Sequence, residues 1–309
     1  ESNEKNKNLK TVTNLLNKFI EDQISKGSNV TAIGGGVIQD IAACSCALFR
    51  RGQPFVYIPS TTLGQLDSCV GAKCAINTEK AKNILGLFSA PKEVIIPTFM
   101  INTMKLAEHR AGLSEMLRLC LTASNDALVK YLEFFDSIKY PNTIDLNIYK
   151  KALNLSLSIK KTVVEFDEYE KDIRRSMNYG HTFGHAIEKI INFKIPHGLA
   201  VLIGIHMANN YSLKNSLMNL DVFEKIKYAI YKTISGSGLS NDLINNLEPR
   251  EIINQFKYDK KGDGKSVPLI LIEKPGLMKF LRINFDDENT VLQKAIKKSL
   301  IEISEWLKN

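Results

Sequence analysis

The chain has 309 residues, 44% apolar and 24% charged, and its 41 Lys and Arg outnumber 33 Asp and Glu for a formal charge of +8. Length and composition predict two domains with real cores and exclude a disordered tail, a collagen-like rod and a small disulfide scaffold. No apolar run approaches the roughly 18 residues of a membrane span, and the charge is spread without aromatics interleaved among arginines, so neither membrane nor nucleic acid is an expected partner.

The polar start, residues 1–10, does not read as a signal peptide. Val12, Leu15, Leu16, Phe19, Ile20 and Ile24 follow helical spacing, and Gly27 supplies a stop. Residues 30–33 read as a short buried strand running into Gly34-Gly35-Gly36, followed by a helix rich in small residues over 37–49. Two further strands, 55–58 and 94–96, each end at a proline. Strands alternating with helices predict a parallel sheet flanked by helices. Beyond Leu106 helical patterns dominate, over 107–121, 128–135, 148–165, 181–191, 199–213, 222–235 and 290–307, with 267–272 as a lone strand or one of a pair. The expected class is α/β, with an N-terminal parallel-sheet domain over 1–103 and a mostly α-helical C-terminal domain over 104–309.

Five cysteines, Cys44, Cys46, Cys69, Cys74 and Cys120, are odd in number and form no CxxC, which reads as buried thiols in a reducing cytosol. Gly34-Gly35-Gly36 would let backbone N–H groups approach a phosphate at a helix N-terminus. Gln39 stands where the dinucleotide fingerprint has its last glycine, so a plain tight turn fits equally. Asp40, one turn on, suits a ribose hydroxyl or complements the helix dipole.

The stretch Asn178-Tyr-Gly-His181-Thr-Phe-Gly-His185-Ala-Ile-Glu188 is more specific. It places two histidines four apart on one helix face, and with His197 three of the five histidines fall between 181 and 197. Two imidazoles and a carboxylate with an open position suit a divalent metal, and Glu115 in Gly112-Leu-Ser-Glu115 is a candidate third ligand. Asp67, Lys73, Lys82 and Asn83 cluster in one segment, Lys160, Lys161, Arg174 and Arg175 flank the acidic stretch 165–170, and Asp259-Lys260-Lys261 is similar. Each alone reads as a solvated face; together they could form a pocket for a phosphate plus a carboxylate.

In order and spacing these residues resemble the 3-dehydroquinate synthase family of sugar phosphate cyclases, over about 3–272. The landmarks are Gly34-Gly-Gly-Val-Ile-Gln-Asp40, Arg51-Gly52, Pro59-Ser-Thr-Thr-Leu63, Asp67-Ser-Cys-Val-Gly-Ala-Lys73, Lys82-Asn83, Gly112-Leu-Ser-Glu115, Lys160, Arg174, the 178–185 stretch, His197-Gly198 and Asp259-Lys-Lys261. The resemblance implies a Rossmann-like NAD-binding domain, a helical domain holding a divalent metal, usually zinc with cobalt as the alternative, and an active site between them. By motif position Glu115, His181 and His197 would ligate the metal, while His185 would instead lie near the substrate phosphate. Glu4, Lys7, Gly35, Gly36, Asp40, Ser60, Thr61, Lys82 and Thr103 would contact NAD. Asp67, Lys73, Asn83, Lys160, Arg174, Asn178, His185 and Lys260 (or its neighbour Lys261) would contact substrate. Arg51 would reach the neighbouring site of a homodimer.

The implied activity is conversion of 3-deoxy-D-arabino-heptulosonate 7-phosphate to 3-dehydroquinate and phosphate, a cytoplasmic step of the shikimate pathway to aromatic amino acids. Its stages are oxidation, phosphate elimination, reduction and intramolecular aldol closure, with NAD used catalytically. Alternatives are a sister cyclase on another sugar phosphate, a metal-dependent polyol dehydrogenase and a non-catalytic relative. Gln39 and Ala72 stand where the family has glycine, and Arg118 stands where it has lysine. The chain also begins downstream of the family's first strand–helix unit, so the expected sheet lacks that unit.

Overall fold

The structure, a computed structural model, describes residues 3–79, 82–256, 266–284 and 289–308. Helix α1 (Leu9–Glu21) starts at Asn8, whose side chain accepts from the Thr11 N–H, and buries Val12 and Phe19. Strand β1 (Val30–Gly34) runs into α2 (Gly36–Leu48), which returns the chain to β2 (Phe55–Pro59), parallel to β1 with Val30 opposite Phe55 and Gly34 opposite Pro59. This is the βαβ unit that the alternating pattern predicts.

A hairpin of β3 (Lys73–Ile76) and β4 (Leu85–Phe88) follows, and β5 (Glu93–Val94) then adds to β2, giving a parallel sheet in the order β1-β2-β5. The hairpin is absent from the sequence reading. Its strands are four residues each and only Cys74 and Ile76 are buried, so they carry almost no hydrophobic period.

The helices after Leu106 are α3 (Leu106–Ala123), α4 (Asn125–Ile138), α5 (Leu146–Phe166), α6 (His181–Ile190), α7 (His197–Lys214), α8 (Leu220–Ile234), the short α9 (Asn241–Asn245) and α10 (Pro249–Phe256), and finally α11 (Asn289–Trp306). The side chains of Ser124, Asp145 and Asn219 cap α4, α5 and α8, whose starts lie two or three residues upstream of the expected 128, 148 and 222. Strand β6 (Ser266–Lys274) pairs antiparallel with β7 (Leu277–Asn284), resolving the open reading of 267–272 as a pair.

Helix α7 is buried without interruption from Gly198 to Ser212 and is the hub on which α3, α6, α8, α11 and β6 pack. A Cβ at Gly198 would lie 2.0 Å from the Ala111 carbonyl oxygen, so α3 and α7 touch backbone to backbone there. One hydrophobic cluster surrounds α7, and a second lies between the parallel sheet, α1 and α2. All five cysteines are buried free thiols. Among the described residues no helix is long and apolar enough to cross a membrane.

Candidate active site

The glycine triplet ends β1 and starts α2, with Gly35 as the extended N-cap residue. Asp40 lies one turn into α2, but it is not free. One oxygen accepts from Lys7 Nζ at 2.9 Å and the other from the Ala75 N–H at 3.3 Å. Buried Lys7 also donates to Asn83 Oδ1 at 2.6 Å and pairs with Glu4 at 3.1 Å. Burial alone would lower the Lys7 pKa, yet Asp40 and Glu4 hold it above the ordinary value. Glu4, Lys7, Asp40 and Asn83, spread over three segments, therefore form one closed network.

Asp67 sits on a π-helical turn, Gly64–Ser68, a geometry that re-aims a side chain out of regular helical register. Lys160 donates to its Oδ1 at 2.5 Å and to its carbonyl at 2.7 Å, and Arg118 reaches its Oδ2 at 3.0 Å. Burial would raise the Asp67 pKa, but the two cations lower it to about 2, so Asp67 is an acceptor at neutral pH. Arg118 also donates to Glu115 Oε2 at 2.5 Å and to the Met177 carbonyl at 2.6 Å. The planar fork of this arginine joins α3, the π turn and the segment before α6, three partners that a lysine point charge could not hold in one plane.

The Asp167 carboxylate accepts backbone N–H groups of Lys171, Asp172 and Arg174, at 2.8, 2.7 and 3.0 Å, and so folds the acidic stretch into a compact loop. That loop sets Glu170 against Lys73 and against Asn178 Nδ2, the latter at 2.5 Å. Buried Arg174 donates to the Gly71 carbonyl at 2.6 Å and to the Glu168 carbonyl. The other two departures have local partners as well. Gln39 exchanges two 2.8 Å hydrogen bonds with Ser68, and Ala72 takes a left-handed φ of 58°, which a family glycine would adopt without strain.

Gly180, at φ 81°, turns the chain into α6 so that His181 opens the helix and His185 follows one turn later. His197 opens α7. Donor atoms of His181, His185 and His197 all lie within 4.8 Å of one another. Glu115, on α3, brings Oε1 to 3.6 Å from His197 Nε2, and that oxygen is buried without a hydrogen-bond partner among the described residues. Glu188 accepts from His197 Nδ1 at 3.1 Å and from Lys82 Nζ at 3.2 Å. Burial would raise the Glu188 pKa, but His197 and Lys82 hold it well below the usual carboxylate range; burial would lower His197, but Glu188 and Glu115 raise it. Converging imidazoles beside an orphaned carboxylate oxygen fit the donor set of a divalent cation.

The remaining two histidines are structural. His109 is pinned between Thr62 Oγ1 at 2.7 Å and the Ile138 carbonyl at 2.6 Å, with burial lowering its pKa to about 4, and His206 is held by Glu302 at 2.7 Å. Burial pushes the Cys46 thiol to about 11 and Cys69 and Cys120 to about 12, which removes them as nucleophiles.

One cleft of about 630 Å³ opens onto most of these groups: Glu4, Lys7, Gly35, Gly36, Asp40, Thr61, Lys82 and Asn83 on one side, Glu115, His181, His185 and His197 on the other, and Asp67, Lys73, Lys160, Arg174 and Asn178 between. Ser60, Thr103 and Arg51 do not line it. The Ser60 N–H bonds the Gly34 carbonyl at 3.0 Å, Thr103 Oγ1 bonds the Met100 carbonyl at 3.0 Å, and Arg51 is exposed. Lys260 and Lys261 lie outside the described residues. The sequence reading assigned no role to Glu188, although its place seven residues after His181 puts it on the same helix face.

Residues 1–111 match the family model "3-dehydroquinate synthase N-terminal" and residues 112–262 match "3-dehydroquinate synthase C-terminal". A 3-dehydroquinate synthase from Helicobacter pylori is 35% identical over 275 residues, 88% of this chain and 75% of the relative, and one from Prochlorococcus marinus is 34% identical over 311 residues, 98% and 79%. Among solved structures, a 2-deoxy-scyllo-inosose synthase complexed with carbaglucose-6-phosphate, NAD+ and Co2+ superposes with a TM-score of 0.85 at 24% identity, covering 96% of this chain and 81% of that one. A Streptomyces hygroscopicus 2-epi-5-epi-valiolone synthase with NAD+ and Zn2+ bound gives 0.77 at 22%, covering 99% and 81%; both likenesses are of fold. The chain belongs to the 3-dehydroquinate synthase family.

Proposed function

We propose that this chain converts 3-deoxy-D-arabino-heptulosonate 7-phosphate to 3-dehydroquinate and phosphate, with NAD and a divalent ion, zinc or cobalt, in the cleft. The observation that carries this reading is that one cavity joins the glycine turn, the cation-rich middle and the histidine cluster with its orphaned carboxylate oxygen. The domain over 1–103 would hold NAD, through Glu4, Lys7, Gly35, Gly36, Asp40, Thr61 and Lys82, all of which line the cleft. The domain over 104–309 would hold the metal, through Glu115, His181 and His197. The two separate hydrophobic clusters support this division.

When bound, NAD supplies a reversible oxidation beside the leaving phosphate, and the ion supplies Lewis acidity at the reacting oxygen. The chain's own groups bind and orient. Lys160 and Arg174 suit the substrate carboxylate, and their links to Asp67 and Gly71 set both across the gap from the histidines. Lys73, Asn83, His185 and Lys260 suit the phosphate. Asn178 suits a hydroxyl once Glu170 gives it up. Asp67, ionised at neutral pH, holds Lys160 and Arg118 in place through its two carboxylate oxygens. Arg51, exposed at a left-handed φ of 65°, is available to a neighbouring subunit of a homodimer, and the free buried thiols suit a reducing cytoplasm.

The test is phosphate release from the heptulosonate phosphate with NAD and Zn2+ present. One phosphate per turnover without net NADH is expected; no release at saturating NAD and metal overturns the reading. Arg118 in the place of a family lysine, bound to both Asp67 and Glu115, favours one second reading, a sister cyclase with a different substrate hydroxyl pattern. Turnover of a sugar phosphate lacking a carboxylate, unaffected by Arg174→Ala, would select it.

A further inference from the structure

Glu188 stands where two parts of the cleft meet. It projects from α6, the helix of His181 and His185, and its side chain is 3% exposed. Both of its oxygens are engaged, and from opposite directions. Oε2 takes His197 Nδ1 at 3.1 Å, and Oε1 takes Lys82 Nζ at 3.2 Å. Lys82 comes from the segment after β3, more than a hundred residues earlier in the chain, and its ammonium also sits 4.7 Å from the centre of the Phe193 ring. A carboxylate held at both oxygens cannot rotate about its terminal bond without losing one partner.

An ionised carboxylate only accepts, so the His197 nitrogen facing it carries the proton. In the neutral ring, the form that can ligate an ion, a proton on Nδ1 puts the lone pair on Nε2, and Nε2 is the atom that lies 3.6 Å from the unpartnered Glu115 Oε1. We infer that Glu188 is a positioning residue of the metal site: it fixes the tautomer and ring orientation of His197, and Lys82 anchors it from across the cleft. The inference rests on the reading of Glu115, His181 and His197 as ligands, and deepens it by naming what holds one of them.

The experiment is competition for Zn2+ between this chain and a chromophoric chelator, without NAD or substrate, for the parent and for His197→Ala, Glu188→Ala and Glu188→Gln. Melting of each variant in EDTA monitors folding. Glu188→Ala is expected to bind Zn2+ about 10- to 100-fold more weakly, with Glu188→Gln losing less because it keeps an acceptor for Nδ1. The visible spectrum of the Co2+ form should shift in both, since the ring no longer sits at its parent angle. Glu188→Gln keeps volume and acceptor, so it carries the test if the alanine variant does not fold. Zn2+ affinity unchanged in both Glu188 variants, beside a large loss in His197→Ala, overturns this inference alone. Affinity unchanged in His197→Ala overturns the metal reading and this inference with it.

Discussion

The two walls of the cleft solve opposite problems. On the glycine-turn wall the charged groups are closed on one another: Lys7 is shared by Asp40, Glu4 and Asn83. On the histidine wall three imidazoles converge and Glu115 Oε1 is left without a hydrogen bond. A buried, unsatisfied acceptor costs about 1–3 kcal/mol, and more when it is charged. A closed network stiffens a surface that then offers backbone and ribose-sized contacts to a ligand. An open carboxylate oxygen leaves an acceptor that the proposed cation would satisfy. The charged groups of the first wall are satisfied within the protein, and those of the second are not.

The sharpest way to break that contrast is His181→Ala. It removes a donor from the wall proposed to hold the ion, and loss of several kcal/mol of charge stabilisation corresponds to a fall of at least about a hundredfold in kcat. Zn2+ affinity measured by chelator competition should fall with it, while the dissociation constant for NAD, measured by fluorescence titration, stays at the parent value. A His181→Ala protein that turns over at near the parent rate would mean that the histidine cluster is a structural feature of the α6–α7 junction.

Asp67 lies between the walls and tests whether the middle of the cleft behaves like the closed one. Its pKa falls from 3.8 in the unfolded chain to about 2 in the folded protein. A lowered carboxylate contributes stability that is fully present above pH 4 and is lost as pH falls from about 4 towards about 2. The size is on the order of 2 kcal/mol. Urea midpoints measured from pH 6 down to pH 2.5 should therefore fall more steeply for the parent than for Asp67→Asn, the two curves converging at the acid end. Parallel curves would show that Lys160 and Arg118 do not hold the charge as their distances imply.

Much of this was legible in the residues, for identifiable reasons. The βαβ unit and the long helices follow from apolar spacing. The histidine cluster was visible because its spacing is local to one helix and the next turn. What escaped the sequence reading is tertiary. The β3–β4 hairpin has strands too short and too exposed to show a period. The π turn that re-aims Asp67 and the loop that Asp167 folds have no pattern that distinguishes them from ordinary turns. Glu188 reads as one more acid on a helix until Lys82 and His197 are brought to it. Ser60 and Thr103, assigned to NAD by motif position, have local backbone partners and do not line the cleft.

The smallest expected effect is also the most discriminating. Asp40→Asn keeps the shape of the closed wall but removes the charge opposite Lys7, whose ammonium then leans on Glu4 and Asn83. One charge-assisted hydrogen bond is worth about 1.5 kcal/mol at its lower end, so the KM for NAD should rise about tenfold. With the histidine wall untouched, kcat and Zn2+ affinity should hold. If Zn2+ affinity falls alongside NAD affinity, the walls are not independent. The route between them would then run from Lys7 through Glu4, which lies 3.8 Å from Lys82 Nζ, to Glu188 and His197. Reciprocity makes that outcome checkable from the other end, because any factor by which NAD tightens Zn2+ must equal the factor by which Zn2+ tightens NAD, and Asp40→Asn would have to shrink both together.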